Sequence, residues 1–159
     1  MKKVIVLVGT PLSGKSTFIR ENYPDALVIC RDQLVLDVFG SDDYNKAFKE
    51  VDHKAVDKLL DLKLKEANSH ELVIIDMTNL VPRRRRSTLN YFSKDFIKEA
   101  IVFPFLSDDE YKLRNDKRNA EENKYIPMGV LKSMKDSYIE PTLDEGFNKI
   151  TILDKTIYI

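Results

Sequence analysis

The sequence predicts an α/β protein of one domain, in which helices flank a five-stranded parallel sheet. Five short apolar segments alternate with helical patterns along the 159 residues, the order expected of parallel strands joined by right-handed crossovers. The third segment, residues 72–75, is apolar throughout, as a strand covered on both faces should be. A glycine-rich loop joins the first strand to the first helix. Together these features predict a doubly wound sheet.

The strands are assigned from short apolar runs that turn or breaker residues bound. The predicted strands are residues 4–8, 27–30, 72–75, 101–106 and 150–153. Pro104 lies near the end of the fourth run, where a missing N–H group is tolerated. Residues 156–159 are a candidate hairpin partner at the C-terminus. No linker, repeat or low-complexity segment interrupts the alternation, which favours one compact domain over residues 1–159.

The helices are assigned from apolar periodicity and from capping residues. The predicted helices are residues 15–21, about 32–39, 44–67, 82–94 and 108–122, with a last one after Pro127. Ala55, Leu59 and Leu62 share one face of the longest pattern. Pro82 suits the first turn of a helix, and Ser107 is a preferred N-cap residue.

Composition predicts a soluble globular protein and limits its partners. Hydrophobic residues make up 43% and charged residues 33% of the chain, as in ordered domains. The 26 basic residues balance 26 acidic ones, so broad coating of nucleic acid by charge is disfavoured, while a local basic site is not. The lone Cys30 excludes an intramolecular disulfide and suits the cytoplasm. The apolar run after Lys3 is too short for a signal peptide, and no segment is long enough to span a membrane.

The strongest motif is a phosphate-binding loop. It reads Gly9-Thr10-Pro11-Leu12-Ser13-Gly14-Lys15-Ser16 and continues into Thr17, matching G-x-x-x-x-G-K-[ST] between a strand and a helix. Glycines let backbone N–H groups turn toward phosphate oxygens, and the helix that follows adds its positive dipole end. Lys15 then reaches the β- and γ-phosphates, and the Ser16 hydroxyl holds Mg²⁺. A chance glycine turn does not explain the strand and helix around it. The loop predicts nucleoside triphosphate binding.

Two carboxylates follow other strands at the same edge of the sheet, where ligands of such folds bind. Asp76 ends the third apolar run, which predicts a second carboxylate that orients Mg²⁺ through water. The alternative is that Asp76 caps a helix or a turn. Asp32 follows the second strand, which predicts a general base for an acceptor hydroxyl. Its alternative role is the N-cap of the next helix.

Arginines supply the positive charge around this edge. Arg114 and Arg118 lie four residues apart, hence on one face of the charged helix. A guanidinium there stabilises the charge that spreads over the γ-phosphate oxygens, and a lid over about residues 108–126 excludes water. The alternative is a solvated charged face. Residues 83–86 are four consecutive arginines. They wrap a whole helical turn, so only one or two of them, Arg83 first, can contact an acceptor phosphate.

In these motifs the sequence resembles polynucleotide 5′-hydroxyl kinases of the phage type. The resemblance rests on the phosphate loop and on Arg31-Asp32, Asp76-Met77-Thr78-Asn79-Leu80, Arg114-Asn115-x-Lys117-Arg118 and residues 127–134. Residues 140–147 are similar to the closing segment of the kinase half of animal polynucleotide kinase-phosphatases. The match follows nearly the whole chain in order.

The resemblance implies ATP as donor, Mg²⁺ as cofactor and a 5′-hydroxyl end of DNA or RNA as acceptor. It also implies a P-loop NTPase fold with an adenylate-kinase-like order of five strands. Asp32 takes the role of general base and Arg118 that of the transition-state arginine. Arg31, Thr78 and Asn79 join them on the acceptor side.

The chain departs from this pattern in two places. Phage kinases carry an arginine that holds the acceptor phosphate three residues after the base, and here that acceptor-binding position is Val35. The D-x-D-G-T phosphatase motif of the bifunctional relatives is absent. Val35 and the neutral charge favour a rival function, a kinase of a small alcohol, nucleoside or tRNA-linked substrate. A further rival, a regulatory protein that binds ATP without transferring it, does not explain Asp32.

Overall fold

Five parallel strands form one sheet in the order β2-β3-β1-β4-β5 in the computed structural model, which describes residues 1–157. The strands are β1 Lys2–Val8, β2 Leu27–Ile29, β3 Leu72–Ile75, β4 Phe96–Val102 and β5 Lys149–Ile152. The helices are α1 Lys15–Asn22, α2 Arg31–Phe39, α3 Tyr44–Glu50, α4 His53–Glu66, α5 Pro82–Leu89, α6 Asp108–Glu122 and α7 Met128–Ser137. The predicted fold class, a five-stranded parallel sheet flanked by helices, is confirmed.

Strand β1 lies at the centre of the sheet, and its residues 4–8 are fully buried. Alternate side chains of β1 serve opposite faces, as the period of a strand requires. Val4 and Val6 pack with Phe92 and Phe96 on one face. Ile5 packs with Ile74 and Phe103 on the other. Because β1 is covered on both faces, its carboxyl end holds the phosphate loop on a rigid support.

Helices α2, α3 and α4 form a separate packed unit beside the carboxyl end of β2. Its buried core contains Leu34, Val35, Tyr44, Ala47 and Val56. This core fixes the start of α2, where Asp32 lies, against the start of α3. The position of the predicted base therefore depends on helix packing as well as on the sheet.

The single helix predicted over residues 44–67 is wrong, because the structure has two helices there. Val51 is extended and ends α3, and the Asp52 carboxylate accepts N–H bonds from Lys54 and Ala55. Asp52 is thus the N-cap of α4. Apolar periodicity runs through the break, which explains why the pattern suggested one element.

Two further boundaries differ from the prediction. Helix α5 ends at Leu89, not near Lys94, because the Asn68 side chain holds the following turn through the Tyr91 carbonyl and the Ser93 amide. Strand β4 begins at Phe96 and ends at Val102, so the predicted strand 101–106 overlaps only its end. The first half of the strand was not predicted because the charged residues Lys98 and Glu99 interrupt its apolar pattern.

The predicted hairpin partner 156–159 lies partly outside the described residues, and Thr156 and Ile157 are not in a strand. Within residues 1–157, no helix combines the length and apolar character needed to cross a membrane.

Candidate active site

The phosphate loop follows β1 directly and has the backbone shape that its glycines predict. Gly14 has φ of +93°, a left-handed conformation that favours glycine. A Cβ atom on Gly14 would lie 2.6 Å from Ile157 Cβ. Leu12 also has a positive φ, +71°, and its side chain is buried. The Gly9 amide donates to the Thr78 carbonyl at 3.0 Å, which ties the loop to the segment after β3.

The side chains of Thr10 and Ser13 stabilise the loop itself. The Ser13 hydroxyl donates to the Thr10 carbonyl at 2.8 Å, and the Thr10 hydroxyl shares a 2.6 Å hydrogen bond with the Tyr111 hydroxyl. Both residues are buried. The part that these residues can play toward a phosphate is therefore that of their backbone N–H groups.

Helix α6 braces the loop from behind. The buried Arg114 guanidinium donates to the Leu12 carbonyl at 2.8 Å and to Glu110 Oε1 at 2.7 Å. The Leu12 side chain packs with Leu106, Tyr111 and Leu131. The Arg114 guanidinium thus contacts the loop, because the fold places the first half of α6 against it, and its contact with the nucleotide stays a prediction.

Lys15 occupies the centre of the candidate site. Its Nζ donates to the Gly9 carbonyl at 2.9 Å. Burial lowers the pKa of Lys15, and the carboxylates of Asp76 and Asp32 oppose that shift. The ammonium therefore lies among negative charges at the carboxyl ends of β1, β2 and β3, where a phosphate chain would meet it.

The residues present fit the predicted Mg²⁺. Ser16 is exposed at the start of α1. Burial raises the pKa of Asp76, and Lys15 partly opposes this. In residues 1–157 no group of three or more His, Cys, Asp or Glu side chains is placed to hold a metal ion. A hydroxyl and a carboxylate are the hard oxygen ligands that Mg²⁺ uses together with substrate phosphates.

Asp32 has a hydrogen-bond donor at each carboxylate oxygen. The Tyr44 hydroxyl donates to Oδ1 at 2.8 Å, and the Lys124 ammonium donates to Oδ2 at 2.6 Å. Burial alone would raise the pKa of Asp32, but Lys124 and Tyr44 lower it below its ordinary value. Asp32 is thus held ionised, as a general base requires.

Arg118 and Arg31 flank this cluster. Arg118 is mostly buried, and its Nε lies 3.4 Å from Glu122 Oε2. Burial raises the pKa of Asp76, and the Arg118 charge is among those that oppose the shift. Arg31 Nη2 contacts Asp57 Oδ1 at 3.0 Å and His53 Nδ1 at 3.2 Å. The role of Arg118 at the reacting phosphate stays a prediction. Arg31 is anchored to α4 beside the acceptor side.

Two predicted acceptor residues are corrected by their burial. Val35 is fully buried in the core between α2, α3 and α4, because position 35 lies on the inner face of α2. Asn79 is also buried, and its Nδ2 donates to the carbonyls of Leu7 and Met77. Asn79 has φ of +49°, so its side chain stabilises a turn. Thr78 is partly buried next to it.

The arginine run divides as the helical geometry predicts. Arg85 is fully buried, while Arg83, Arg84 and Arg86 are exposed. Arg85 donates two hydrogen bonds to the Glu145 carboxylate, at 2.6 and 3.0 Å. It is a structural residue, and Arg83 stays a candidate for acceptor contact.

Sequence reasoning missed the residues that surround Asp32. Tyr44 and Lys124 lie 12 and 92 positions away from Asp32 in the chain. Nothing in their local sequence marks them, because neither belongs to a motif. Glu145 did have a signal: with Thr142 it forms a capping box, a pattern readable from sequence.

The chain matches the AAA domain family over residues 4–141. It belongs to that family. The match includes the phosphate loop, Asp32, Asp76 and Arg118, and it ends before β5.

Solved structures similar to this chain share its fold. Kti12 from Chaetomium thermophilum, solved with ADP-AlF3, is 17% identical with a TM-score of 0.63, over 94% of this chain and 88% of that one. A gluconokinase from Sinorhizobium meliloti 1021 is 14% identical with a TM-score of 0.55, over 94% and 81%. A chain of the Pnkp1/Rnl/Hen1 complex is 24% identical with a TM-score of 0.55, over 70% of this chain and 38% of that one. These likenesses show that the fold, a parallel sheet flanked by helices, is shared.

Proposed function

We propose that the protein is a phosphotransferase that moves the γ-phosphoryl group of ATP to a hydroxyl acceptor. The observation that carries the proposal is that Lys15 and Asp32 both lie at the carboxyl edge of the sheet, at the starts of the helices that follow β1 and β2. A nucleotide switch needs the lysine and a carboxylate for Mg²⁺, but it has no use for a second carboxylate that can take a proton from an acceptor hydroxyl. A kinase needs both Lys15 and Asp32, one for the phosphates and one for the acceptor proton.

The residues divide the reaction between them. Loop N–H groups and Lys15 would bind the phosphates, and Ser16 and Asp76 would hold Mg²⁺, which neutralises phosphate charge when bound. Asp32 would take the proton of the acceptor hydroxyl as the oxygen of that hydroxyl bonds to the γ-phosphorus. The bond from that phosphorus to the β,γ-bridging oxygen breaks, and ADP leaves. Arg118 would stabilise the charge on the transferred group.

For the acceptor we infer a 5′-hydroxyl end of DNA or RNA. The resemblance of the motifs to polynucleotide 5′-hydroxyl kinases supports this choice. Arg83 and Arg84 support it too: they are exposed at the start of α5, shortly after Thr78. No ion pair found within residues 1–157 uses either of them. Two unpaired guanidinium groups suit the phosphates of a nucleic acid.

A kinase of a small alcohol or nucleoside is the second candidate, and the burial of Val35 favours it. An acceptor phosphate cannot contact that position, so one phosphate contact of the phage enzymes has no counterpart on α2. The overall neutral charge of the chain points the same way.

The test offers labelled ATP and Mg²⁺ to a panel of acceptors: DNA and RNA oligonucleotides with 5′-hydroxyl ends, the same with 5′-phosphates, nucleosides and small polyols. We expect label on 5′-hydroxyl ends and none on 5′-phosphorylated controls. Asp32→Asn should lower turnover by about 10²- to 10⁴-fold with ATP affinity unchanged. Label on polyols or nucleosides alone would establish the second candidate. Binding of ATP without transfer to any acceptor would reject both.

A further inference from the structure

Lys124 binds one oxygen of the predicted base, Asp32. Its Nζ is 2.6 Å from Asp32 Oδ2, while the Tyr44 hydroxyl donates to Oδ1 at 2.8 Å. A carboxylate paired to an ammonium is a weaker base than a free one. The Asp32 side chain is 45% exposed, so water reaches the carboxylate, and what the intact pair reduces is its strength as a base.

Lys124 is held in place by more than one contact. Its side chain is only 14% exposed, and its Nζ also lies 4.4 Å from the centre of the Tyr44 ring. The attraction between an ammonium and a carboxylate or an aromatic ring grows as the cation is removed from water. Lys124 is thus held by the Asp32 carboxylate and by the ring of Tyr44, whose hydroxyl donates to the same carboxylate.

Asn45, the neighbour of Tyr44, fixes the backbone around Lys124. Its backbone amide donates to the Asn123 carbonyl at 3.0 Å, and its side-chain Oδ1 accepts from the Tyr125 backbone amide at 2.8 Å. Its Nδ2 donates to Asn119 Oδ1 at 2.9 Å. The first two residues of α3 therefore hold both the base and the end of the lid segment, residues 108–126.

We propose that Lys124 guards Asp32 against water until an acceptor hydroxyl displaces its ammonium from Oδ2. This inference rests on the proposed function. With Lys124 on Oδ2, Asp32 is too weak a base to take a proton from water, so ATP hydrolysis is slow. When the acceptor enters, its hydroxyl donates a hydrogen bond to Oδ2 of Asp32. The hydroxyl proton passes to Oδ2 as the hydroxyl oxygen bonds to the γ-phosphorus. The displaced ammonium stays near the negative charge of the phosphates, close to Lys15, whose pKa its charge already lowers.

The first experiment compares ATP hydrolysis without acceptor to phosphoryl transfer with acceptor. Lys124→Met should raise acceptor-free hydrolysis about tenfold or more, since a freed general base acts on water, and should lower the yield of transfer per ATP consumed. Lys124→Arg keeps the cation and should hydrolyse ATP as slowly as wild type. Lys112→Met removes an exposed lysine of α6 and should change neither rate. Adding Asp32→Asn to Lys124→Met should abolish the extra hydrolysis.

The second experiment needs no turnover. An amine-reactive ester at low conversion, followed by mass spectrometry, should modify Lys124 more slowly than Lys112 in the wild-type protein. Asp32→Asn should speed the reaction at Lys124 and leave Lys112 unchanged. Asn45→Ala should speed it as well and raise hydrolysis in part, because it loosens the backbone around Lys124.

The two proposals fail differently. If wild type phosphorylates an acceptor but Lys124→Met hydrolyses ATP no faster than wild type, the guarding role is overturned and the kinase assignment stands. Equal labelling of Lys124 in wild type and Asp32→Asn also overturns the guarding role. If wild type transfers phosphate to no acceptor, the proposed function fails, whatever the labelling shows.

Discussion

Individual side chains at the carboxyl ends of the strands owe their properties to burial and to one another. Lys15 loses hydration, which lowers its pKa, and recovers part of the loss from Asp76 and Asp32. Asp76 is desolvated too, which raises its pKa, with Lys15 and Arg118 among the cations that oppose the shift. The site is therefore a balanced group of charges, into which a polyphosphate and a divalent cation would enter together.

Arg118 tests whether the second half of α6 reaches the reacting phosphate. Arg118→Lys should lower turnover nearly as much as Arg118→Ala, about 10³-fold or more, because an ammonium cannot reproduce the planar fork of a guanidinium. The measurement is single-turnover transfer with saturating ATP, and Lys112→Met is the control. Wild-type turnover in Arg118→Lys would place the side chain among solvated charges.

Val35 gives a prediction about stability. Val35→Arg would bury a guanidinium without a partner in the core of α2, α3 and α4, at a cost of about 3 kcal/mol or more. Val38→Arg is the matched control on the same helix, since Val38 is 37% exposed, and it should cost less than about 0.5 kcal/mol. Urea unfolding measures both variants. Equal stabilities would mean that position 35 is accessible to an acceptor.

At the scale of elements, α5 is joined to the C-terminal segment through one buried arginine. Besides its two bonds to Glu145, Arg85 donates to the carbonyls of Asn79 and Ile139 at 2.9 Å each. Glu145 also accepts from the Thr142 amide at 3.0 Å. This network sets the start of α5, and with it the direction of Arg83 and Arg84, relative to the turn after β3.

Breaking this network should destabilise the fold. Arg85→Met leaves the Glu145 carboxylate buried without its partner, and we expect a loss of about 3–5 kcal/mol in the free energy of unfolding. Arg84→Met, an exposed neighbour, should change it by about 0.5 kcal/mol or less. Replacing both partners, Arg85→Met with Glu145→Leu, should recover part of the loss. A double variant no more stable than Arg85→Met would show that the backbone carbonyl bonds of Arg85 dominate.

The same pair predicts a pH dependence. Burial alone would raise the pKa of Glu145, but its bonds from Arg85 and Thr142 lower it below the ordinary value of 4.5. A carboxyl group whose pKa is lower in the folded than in the unfolded state stabilises the protein at a pH above its unfolded-state pKa. This stabilisation is lost as the pH falls through the folded-state pKa. The stability difference between wild type and Glu145→Gln should therefore begin to shrink as the pH falls below 4.5 and be lost as the pH passes through the lower folded-state pKa. Glu121→Gln, at an exposed position, should show no such trend in urea unfolding at a series of pH values.

At the scale of the molecule, the parallel sheet brings distant parts of the chain to one edge. The loop after β1, Asp32 after β2 and Asp76 after β3 meet there, and α6 closes the group from the side of β4. Helix α6 is bonded to the loop through Tyr111 and Arg114. A ligand bound at this edge would thus contact several elements at once.

Ligand binding should therefore stabilise the whole fold. At about 100 times its Kd, Mg²⁺ with ATP adds about 2.7 kcal/mol, which for a chain of this size raises Tm by about 5–10 °C. Differential scanning fluorimetry measures the shift. Lys15→Ala at the same concentrations should show little shift and a Tm without ligand close to that of wild type. An equal shift in Lys15→Ala would place the nucleotide elsewhere.

The sequence alone determined the fold class, the phosphate loop and the positions of its two flanking carboxylates. These features are local: strands and helices follow from apolar periodicity, and the loop from glycines beside a lysine. The rule that ligands bind at the carboxyl ends of parallel strands then placed Asp32 and Asp76 near the loop without any coordinates.

Only the tertiary structure decided which side chains of one helical turn face the core. It buried Val35, turned Asn79 and Arg114 toward backbone carbonyls, and separated Arg85 from Arg83. It also brought Lys124 and Tyr44 onto Asp32 across long stretches of chain. Such contacts depend on how helices pack against each other and on the sheet, and helix packing is governed by the complementary shapes of surfaces that are remote in sequence. No local pattern records them, so the groups that bind the predicted base appear only in the folded molecule.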